Sequence, residues 1–302
     1  METISKTIRI GTRGSKLALW QAEYTKAQLA KIGVTAELQI IKTKGDRIQH
    51  LSFDKIEGKG FFTKEIEEAL LRGDVDMAVH SMKDLPTSPP PGLCTTAVSY
   101  RANPADHLLI RKASSDEGKI LKLAEGAVVG TSSARRKALL LDFRPDLAIK
   151  DIRGNVPTRI DKLRQGQFDG IVMAAAGLER LQLDLSDLLV LPLNPKEFVP
   201  APAQGVLAFQ CVEADRTTRK LLRHLHHREV SACTNVERKV LQMMGGGCHM
   251  PLGVYCERDD MGHYHAWAAK AEHWDGPLKR FRLSSSTTFG MAEKILEALK
   301  GE

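Results

Sequence analysis

The chain of 302 residues is poor in aromatic residues, which make up 5% of it, and it contains no Cys-x-x-Cys pair. Its five cysteines, Cys94, Cys211, Cys233, Cys248 and Cys256, are odd in number and share no repeating spacing. That excludes a regular disulfide framework and points to a reducing compartment. A zinc site built from Cys248, His249, Cys256, His263 and His265 would lack the paired ligand spacings such sites use, so no metal is expected. The residues before Lys16 have no apolar core of signal-peptide length, and no stretch approaches a membrane span. A cytoplasmic protein without a membrane partner is therefore expected. Basic runs interleaved with aromatics are also missing, which sets nucleic acid aside despite the net charge of +7.

What is present is an ordinary globular composition, 42% hydrophobic, in a chain long enough for two or three domains. Short apolar strands alternate with helices through the first two thirds. The strand 8–12 turns at Arg13-Gly14-Ser15 into a helix that Ser15 can cap and that runs to about Ile32. Strands are expected at 35–42, 75–80, 93–98 and 107–111. The connection from Thr43 to Gly60 is long and shows no period, as a mobile cover over a site would. A second α/β series follows, with strands at 127–130, 147–152 and 169–173 and a helix after each. Pro86–Pro91 ends the first unit locally, a first crossover falls near 100–106, and Pro192, Pro195, Pro200 and Pro202 mark a second. The strand 206–212 should then return to the first sheet, a layout typical of hinged ligand-binding lobes. Helices are expected at 217–227 and 229–244, and after the glycine loop the strands at 252–257, 264–271 and 278–284 with a helix at 288–300 read as a small α+β domain with an antiparallel sheet.

Several strand ends deliver an arginine: Arg13, Arg135, Arg136, Arg153, Arg159 and Arg180. A planar guanidinium holds a carboxylate through two parallel hydrogen bonds, which suits a small ligand with several carboxylates better than a polymer does. Thr131 to Arg136 reads equally as an anion site at a helix start or as an ordinary cap with exposed arginines. Lys83-Asp84 follows an apolar strand, where α/β sheets bind ligands, though a solvated pair is the bland alternative. Asp84 is the one acid in this company and could carry protons or face a developing cation. In Gly245-Gly246-Gly247-Cys248-His249, three glycines either turn the chain or bare a thiol for covalent chemistry.

Six segments together resemble the porphobilinogen deaminase (hydroxymethylbilane synthase) family: 9–15, 58–62, 79–86 (Val-His-Ser-Met-Lys-Asp-Leu-Pro), 130–136 (Gly-Thr-Ser-Ser-Ala-Arg-Arg), 153–159 and 246–248. The resemblance runs the length of the chain in order. It implies an α/β fold of three domains: 1–101 plus 203–222 and 105–198, both similar to the lobes of type II periplasmic solute-binding proteins, and 228–302, a small α+β domain with a three-stranded antiparallel sheet. It implies a dipyrromethane cofactor joined by a thioether to Cys248, onto which four porphobilinogen molecules are condensed with loss of ammonia before hydroxymethylbilane is released. Asp84 becomes the catalytic residue. Lys83, Asp84, Thr131, Ser132, Arg135 and Arg136 become cofactor-binding, and Arg13, Ser15, Arg153, Arg159 and Arg180 substrate-binding. Lys59 falls on a mobile loop, with Gln21 and Gln204 as weaker correspondences. A monomer that hands its product to uroporphyrinogen III synthase is implied as well. Two departures stand out: Ala134, where leucine is common, and Ala203, where the family usually has glycine. A two-lobed anion-binding protein without catalysis is the rival reading, and the missing export signal and the glycine–cysteine loop count against it.

Overall fold

The computed structural model describes residues 7–43, 63–246 and 250–301. Lys59, Cys248 and His249 lie outside these residues, as does nearly all of the expected cover loop. The described chain forms two compact units: 7–43, 63–102 and 206–232 make the first, and 103–205, 233–246 and 250–301 the second.

In the first unit, β1 (Ile8–Thr12), β2 (Ala36–Ile40) and β3 (Met77–Ser81) are parallel, so each connection must cross over. Helix α1 (Lys16–Lys31) and helix α2 (Lys64–Arg72) lie in those crossings. The Ser15 hydroxyl caps α1 by accepting from the Ala18 amide at 3.3 Å, as the sequence predicted. Strand β4 (Leu93–Val98) completes the N-terminal part. The returning strand is β10 (Leu207–Val212), which enters antiparallel between β3 and β4 and gives the order β2-β1-β3-β10-β4. Both faces of this sheet are covered. Ile8, Ile10, Met77, Val79 and Phe209 pack with Ala22 and Leu29 of α1, whereas Ala78 and Leu93 pack with Ile66 and Leu70 of α2. Sheets buried on two faces need such nearly continuous apolar strands. Helix α6 (Arg216–Leu222) adds Leu221 and Leu222 to the first of these cores.

The second unit repeats the plan. Its strands β5 (Asp106–Arg111), β6 (Val128–Gly130), β7 (Ala148–Lys150), β8 (Gly170–Ala174) and β9 (Leu188–Pro192) take the order β7-β6-β8-β5-β9. Strands β7, β6 and β8 are parallel, and β5 is antiparallel to both β8 and β9. Helices α3 (Ala134–Phe143) and α4 (Val156–Arg164) make the crossings, and α5 (Ala175–Leu181) follows β8. Strand β9, Leu-Leu-Val-Leu-Pro, was not anticipated: its four apolar residues carry no alternation and end in a proline, which an edge strand tolerates.

Helix α7 (Arg228–Met243) leads to β11 (Leu252–Arg258), β12 (Tyr264–Lys270), β13 (Lys279–Ser285) and helix α8 (Met291–Lys300). The three strands form the expected antiparallel sheet. One face packs Val254, Cys256, Ala266 and Ala268 on Val236 and Val240 of α7 and Ile295 of α8. The other face sends Tyr255, Trp267 and Ala269 into a core shared with Leu108, Val129, Leu139 and Val199.

The segment 199–205 stitches these parts together. The Val254 amide donates to the Pro200 carbonyl at 3.1 Å. A Cβ on Gly253 would come within 2.4 Å of the Val199 carbonyl oxygen, so only glycine fits there. The fully buried Glu237 accepts from the Ala203 amide at 2.6 Å and from the Cys256 amide at 2.7 Å. Ala203 itself is left-handed, with φ 62°. The family's usual glycine at this position has its reason in that conformation, because a Cβ there is strained. Ala203→Gly should raise the unfolding free energy by about 1 kcal/mol, read as a higher urea midpoint at unchanged slope. A midpoint that stays put or falls would mean that the strain is absent.

Candidate functional site

In the first unit, β1 and β3 are parallel neighbours, so their carboxyl ends open on the same side. Arg13 and Ser15 follow β1, while the turn Met82–Asp84 follows β3. Arg13, Ser15, Gln21, His80, Ser81 and Asp84 line one small open pocket there. Three residues predicted from the sequence, Arg13, Ser15 and Asp84, are thus brought together. Lys83 sits half-buried on the same turn. Gln21 is buried and donates to the Ser81 hydroxyl at 2.7 Å, which fastens α1 to the end of β3 beneath the pocket. Arg9 belongs elsewhere: it grips Asp76 through Nε and a terminal nitrogen, each at 3.0 Å, and is a structural arginine.

His80 had no predicted role. It is buried at the next-to-last position of β3, and burial drives its pKa from 6.5 down to about 4, with Gln210 opposing the shift and Arg13 adding to it. The imidazole is therefore neutral throughout the ordinary pH range.

In the second unit, β6 ends at Gly130 and the loop 131–133 opens α3. Thr131 is buried. The Ser132 hydroxyl donates to the Ile152 carbonyl at 2.9 Å and accepts from the Ile152 amide at 3.1 Å. It ties this loop to the chain leaving β7. Ser133 is the cap of α3, accepting from the Arg136 amide at 3.4 Å.

Arg135 and Arg136 are not the exposed pair of the bland reading. Both are buried, and both hold one carboxylate: Arg135 meets Asp106 Oδ2 at 2.9 Å and Arg136 meets Oδ1 at 2.6 Å. Each also donates to a carbonyl, Arg135 to Val199 at 2.9 Å and Arg136 to Val172 at 2.8 Å. Gln204 joins from the other side, donating to Asp106 Oδ1 at 3.0 Å and to the Pro104 carbonyl at 2.8 Å. Arg180, also buried, donates to the Gly205 carbonyl at 2.8 Å. Burial pulls the Arg135 guanidinium below its usual range, and Asp106 opposes that pull. Two guanidinium ions against one carboxylate leave a positive excess in a poorly solvated place, which favours an anionic ligand. Asp106 was missed because nothing local marks it. Its function depends on two arginines about thirty residues further along.

Arg153 follows β7, and Arg159 lies in the first turn of α4. Asn155 caps that helix by accepting from the Thr158 amide at 3.0 Å, with Pro157 in the first turn as expected. Arg159 Nε donates to the Gly154 carbonyl at 2.7 Å, which sets the guanidinium back over the loop that carries Arg153.

The residues present fit a group bearing several carboxylates. The observation is the positive excess around Asp106 together with Arg136 Nε–H, buried and without an acceptor among the described residues. Cys248, the predicted attachment point, lies outside them.

Comparison with known proteins agrees with this chemistry. A family model described as "Porphobilinogen deaminase, dipyromethane cofactor binding domain" matches residues 8–220. The porphobilinogen deaminase of Nitratiruptor sp. is 44% identical over 247 residues, 82% of this chain and 77% of that protein. That of Chloroherpeton thalassium is 40% identical over 297 residues, 97% of this chain and 92% of its own length. Among solved structures, the periplasmic VFT2 domain of BvgS from Bordetella pertussis is similar at 12% identity and a TM-score of 0.43, covering 72% of this chain and 85% of that one. On the family model and these relatives, the chain belongs to the porphobilinogen deaminase family.

Proposed function

We propose that Asp84 is the catalytic group of a condensation site whose carboxylate-binding cations are the arginines named above. The activity is that of the family: a transferase of tetrapyrrole and haem biosynthesis joins four porphobilinogen molecules head to tail on a dipyrromethane primer, with loss of ammonia, and releases hydroxymethylbilane by hydrolysis. The observation that carries the residue assignment is the meeting of Arg13, Ser15 and Asp84 in one pocket at the ends of β1 and β3.

Substrate enters as an ion with two carboxylates and a protonated aminomethyl group on a pyrrole ring. Arg13 and Ser15 take a carboxylate, which fixes the ring beside Asp84. The carbon–nitrogen bond then breaks, and its electron pair leaves on ammonia. Positive charge spreads over the pyrrole and its methylene carbon, and the Asp84 carboxylate, fixed beside it before the reaction, stabilises that charge. The dipyrromethane, when bound, supplies the carbon nucleophile to which the first methylene is joined. Asp84 also suits removal of the ring proton displaced in each step, since a carboxylate within hydrogen-bond reach can accept it.

Cys248 would hold the primer through its thioether, with Lys83, Asp84, Thr131, Ser132, Arg135 and Arg136 around it. Arg153, Arg159 and Arg180 would take the carboxylates of the growing chain, and Lys59 would come from the loop above. Ser132 contributes through its hold on Ile152, and Arg135 and Arg136 present their charge while anchored on Asp106. The division into domains 1–101 plus 203–222, 105–198 and 228–302 belongs to the same proposal, as do a cytoplasmic monomer and hand-off of product to uroporphyrinogen III synthase. Among the described residues no helix is long and apolar enough to cross a membrane.

Asp84→Ala should leave a folded protein whose turnover falls roughly 100- to 10,000-fold, measured as tetrapyrrole formed after oxidation of the product. Ordinary turnover in that variant would remove Asp84 from the mechanism. The denatured protein should weigh more than its sequence by the mass of the primer, with the addition mapping to the peptide that contains Cys248. Cys248→Ser should show the bare mass and make no tetrapyrrole, and a primer mass on any other peptide would contradict the assignment.

A further inference from the structure

The first-unit pocket contains a polar group with no part in the chemistry above. His80 is 7% exposed, and its ring lines the pocket with Arg13, Ser15 and Asp84. Of its two ring nitrogens, Nε2 is shut off from solvent and makes no properly directed hydrogen bond among the described residues. Beneath it runs a short polar chain under α2. The Thr63 hydroxyl donates to Glu67 Oε2 at 3.3 Å, and Gln210 Nε2 donates to Glu67 Oε1 at 3.1 Å.

This chain has a direction. A carboxylate only accepts, so Glu67 draws the NH2 end of the Gln210 amide and turns its oxygen away. That oxygen, Gln210 Oε1, is likewise buried without a partner among the described residues, and the same amide lies against the His80 ring. The match for it is a proton on His80 Nε2. In a neutral imidazole one nitrogen carries the proton and the other a lone pair, so a proton on Nε2 leaves Nδ1 as an acceptor. Burial keeps the ring neutral, so the lone pair is not lost to protonation at ordinary pH.

Asp84 is the charged acceptor of the pocket, and because the ligand carries more than one N–H a second, neutral acceptor has a use there. Arg13 and the Ser15 hydroxyl are donors and serve a carboxylate. A pyrrole substrate also brings N–H groups, on its ring and on its aminomethyl arm, and these need acceptors to be bound without a desolvation penalty. We propose that His80, through Nδ1, accepts a hydrogen bond from an N–H of the pyrrole ligand whose carboxylate Arg13 and Ser15 hold, and is a further binding residue of the condensation site. The proposal rests on the reading of this pocket as the substrate site. The bland alternative is a histidine that only ends the polar chain from Thr63.

The test uses the holoenzyme labelled with 15N-histidine, with the His80 signal assigned by its disappearance in His80→Gln and by its titration near pH 4 instead of 6.5. Two unreactive ligands are added in turn: a porphobilinogen analogue with methyl in place of aminomethyl, and one with its amine moved one carbon further out. The His80 Nδ1 resonance should move upfield on binding. Movement with both ligands identifies the ring N–H as the donor, and movement with the amine alone identifies the ammonium group. Binding of both ligands while the resonance stays still overturns the proposal. In kinetics, His80→Phe should raise KM roughly tenfold with a smaller change in kcat, and His80→Gln, whose side-chain oxygen can accept, should recover most of it. Equal KM values for both variants would also refute the idea. Arg13→Leu separates the two layers. If it leaves substrate binding intact, the pocket reading itself is wrong; if it abolishes binding while His80 proves inert, only the histidine proposal falls.

Discussion

The buried carboxylate of Asp106 is the constraint on which the second unit depends. It is fully enclosed and meets two guanidinium ions and the Gln204 amide. An isolated carboxylate in such a place would be strongly disfavoured, and two isolated guanidinium ions no less so. Together they compensate one another, and in doing so they join the start of β5, the first turn of α3 and the segment 203–205. Removing Asp106 alone would strand two charges, a far worse outcome than losing an ordinary surface pair. The same arrangement creates function, because the compensation is incomplete and the surplus charge is positive. Glu237 plays a related part further along, but with backbone amides as its partners, so it locks the chain in place and adds no cation.

The two five-stranded sheets repeat one plan, three parallel strands followed by an antiparallel strand and an outer one. Parallel strands put their carboxyl ends side by side, and the loops that leave them are where side chains can converge. Arg13 and Asp84 leave the first sheet in this way; Thr131, Arg135 and Arg153 leave the second. Guanidinium groups suit those positions because they stay charged when desolvated and grip carboxylates in a fixed plane. Asp84 and the neutral His80 supply what a set of cations cannot, which is somewhere for an N–H to point.

Local signals in the sequence proved legible where the physics is local. Ser15 and Asn155 cap helices because a side-chain oxygen needs only amides three residues on, and both are visible in a single turn of sequence. The return of the strand at 207–212 to the first sheet followed from counting crossovers, a constraint of connectivity. Strand β9 escaped notice because four consecutive apolar residues have neither a strand nor a helix period. Asp106 and Glu237 escaped for a deeper reason: each is defined by partners remote in sequence, and an acidic residue among ordinary neighbours gives no sign that it will be buried. The burial of Arg135 and Arg136 was hidden with them. Ala203 was flagged as a departure from a family pattern, and its left-handed backbone gives that pattern its cause.

The position of β10 bears on how the chain emerges from the ribosome. This strand lies between β3 and β4, and β4 has no other neighbour in its sheet. The first sheet therefore stays unfinished, with a raw edge on β3, until Val212 has been made, although the strands on either side of the gap were complete by Val98. The strands of the second sheet, β5 to β9, are contiguous in the chain and can assemble while that gap is still open. The sheet begun first is thus the later of the two five-stranded sheets to have all its strands, and a stall in translation between residues 98 and 207 would expose an unpaired strand edge of the kind that promotes aggregation.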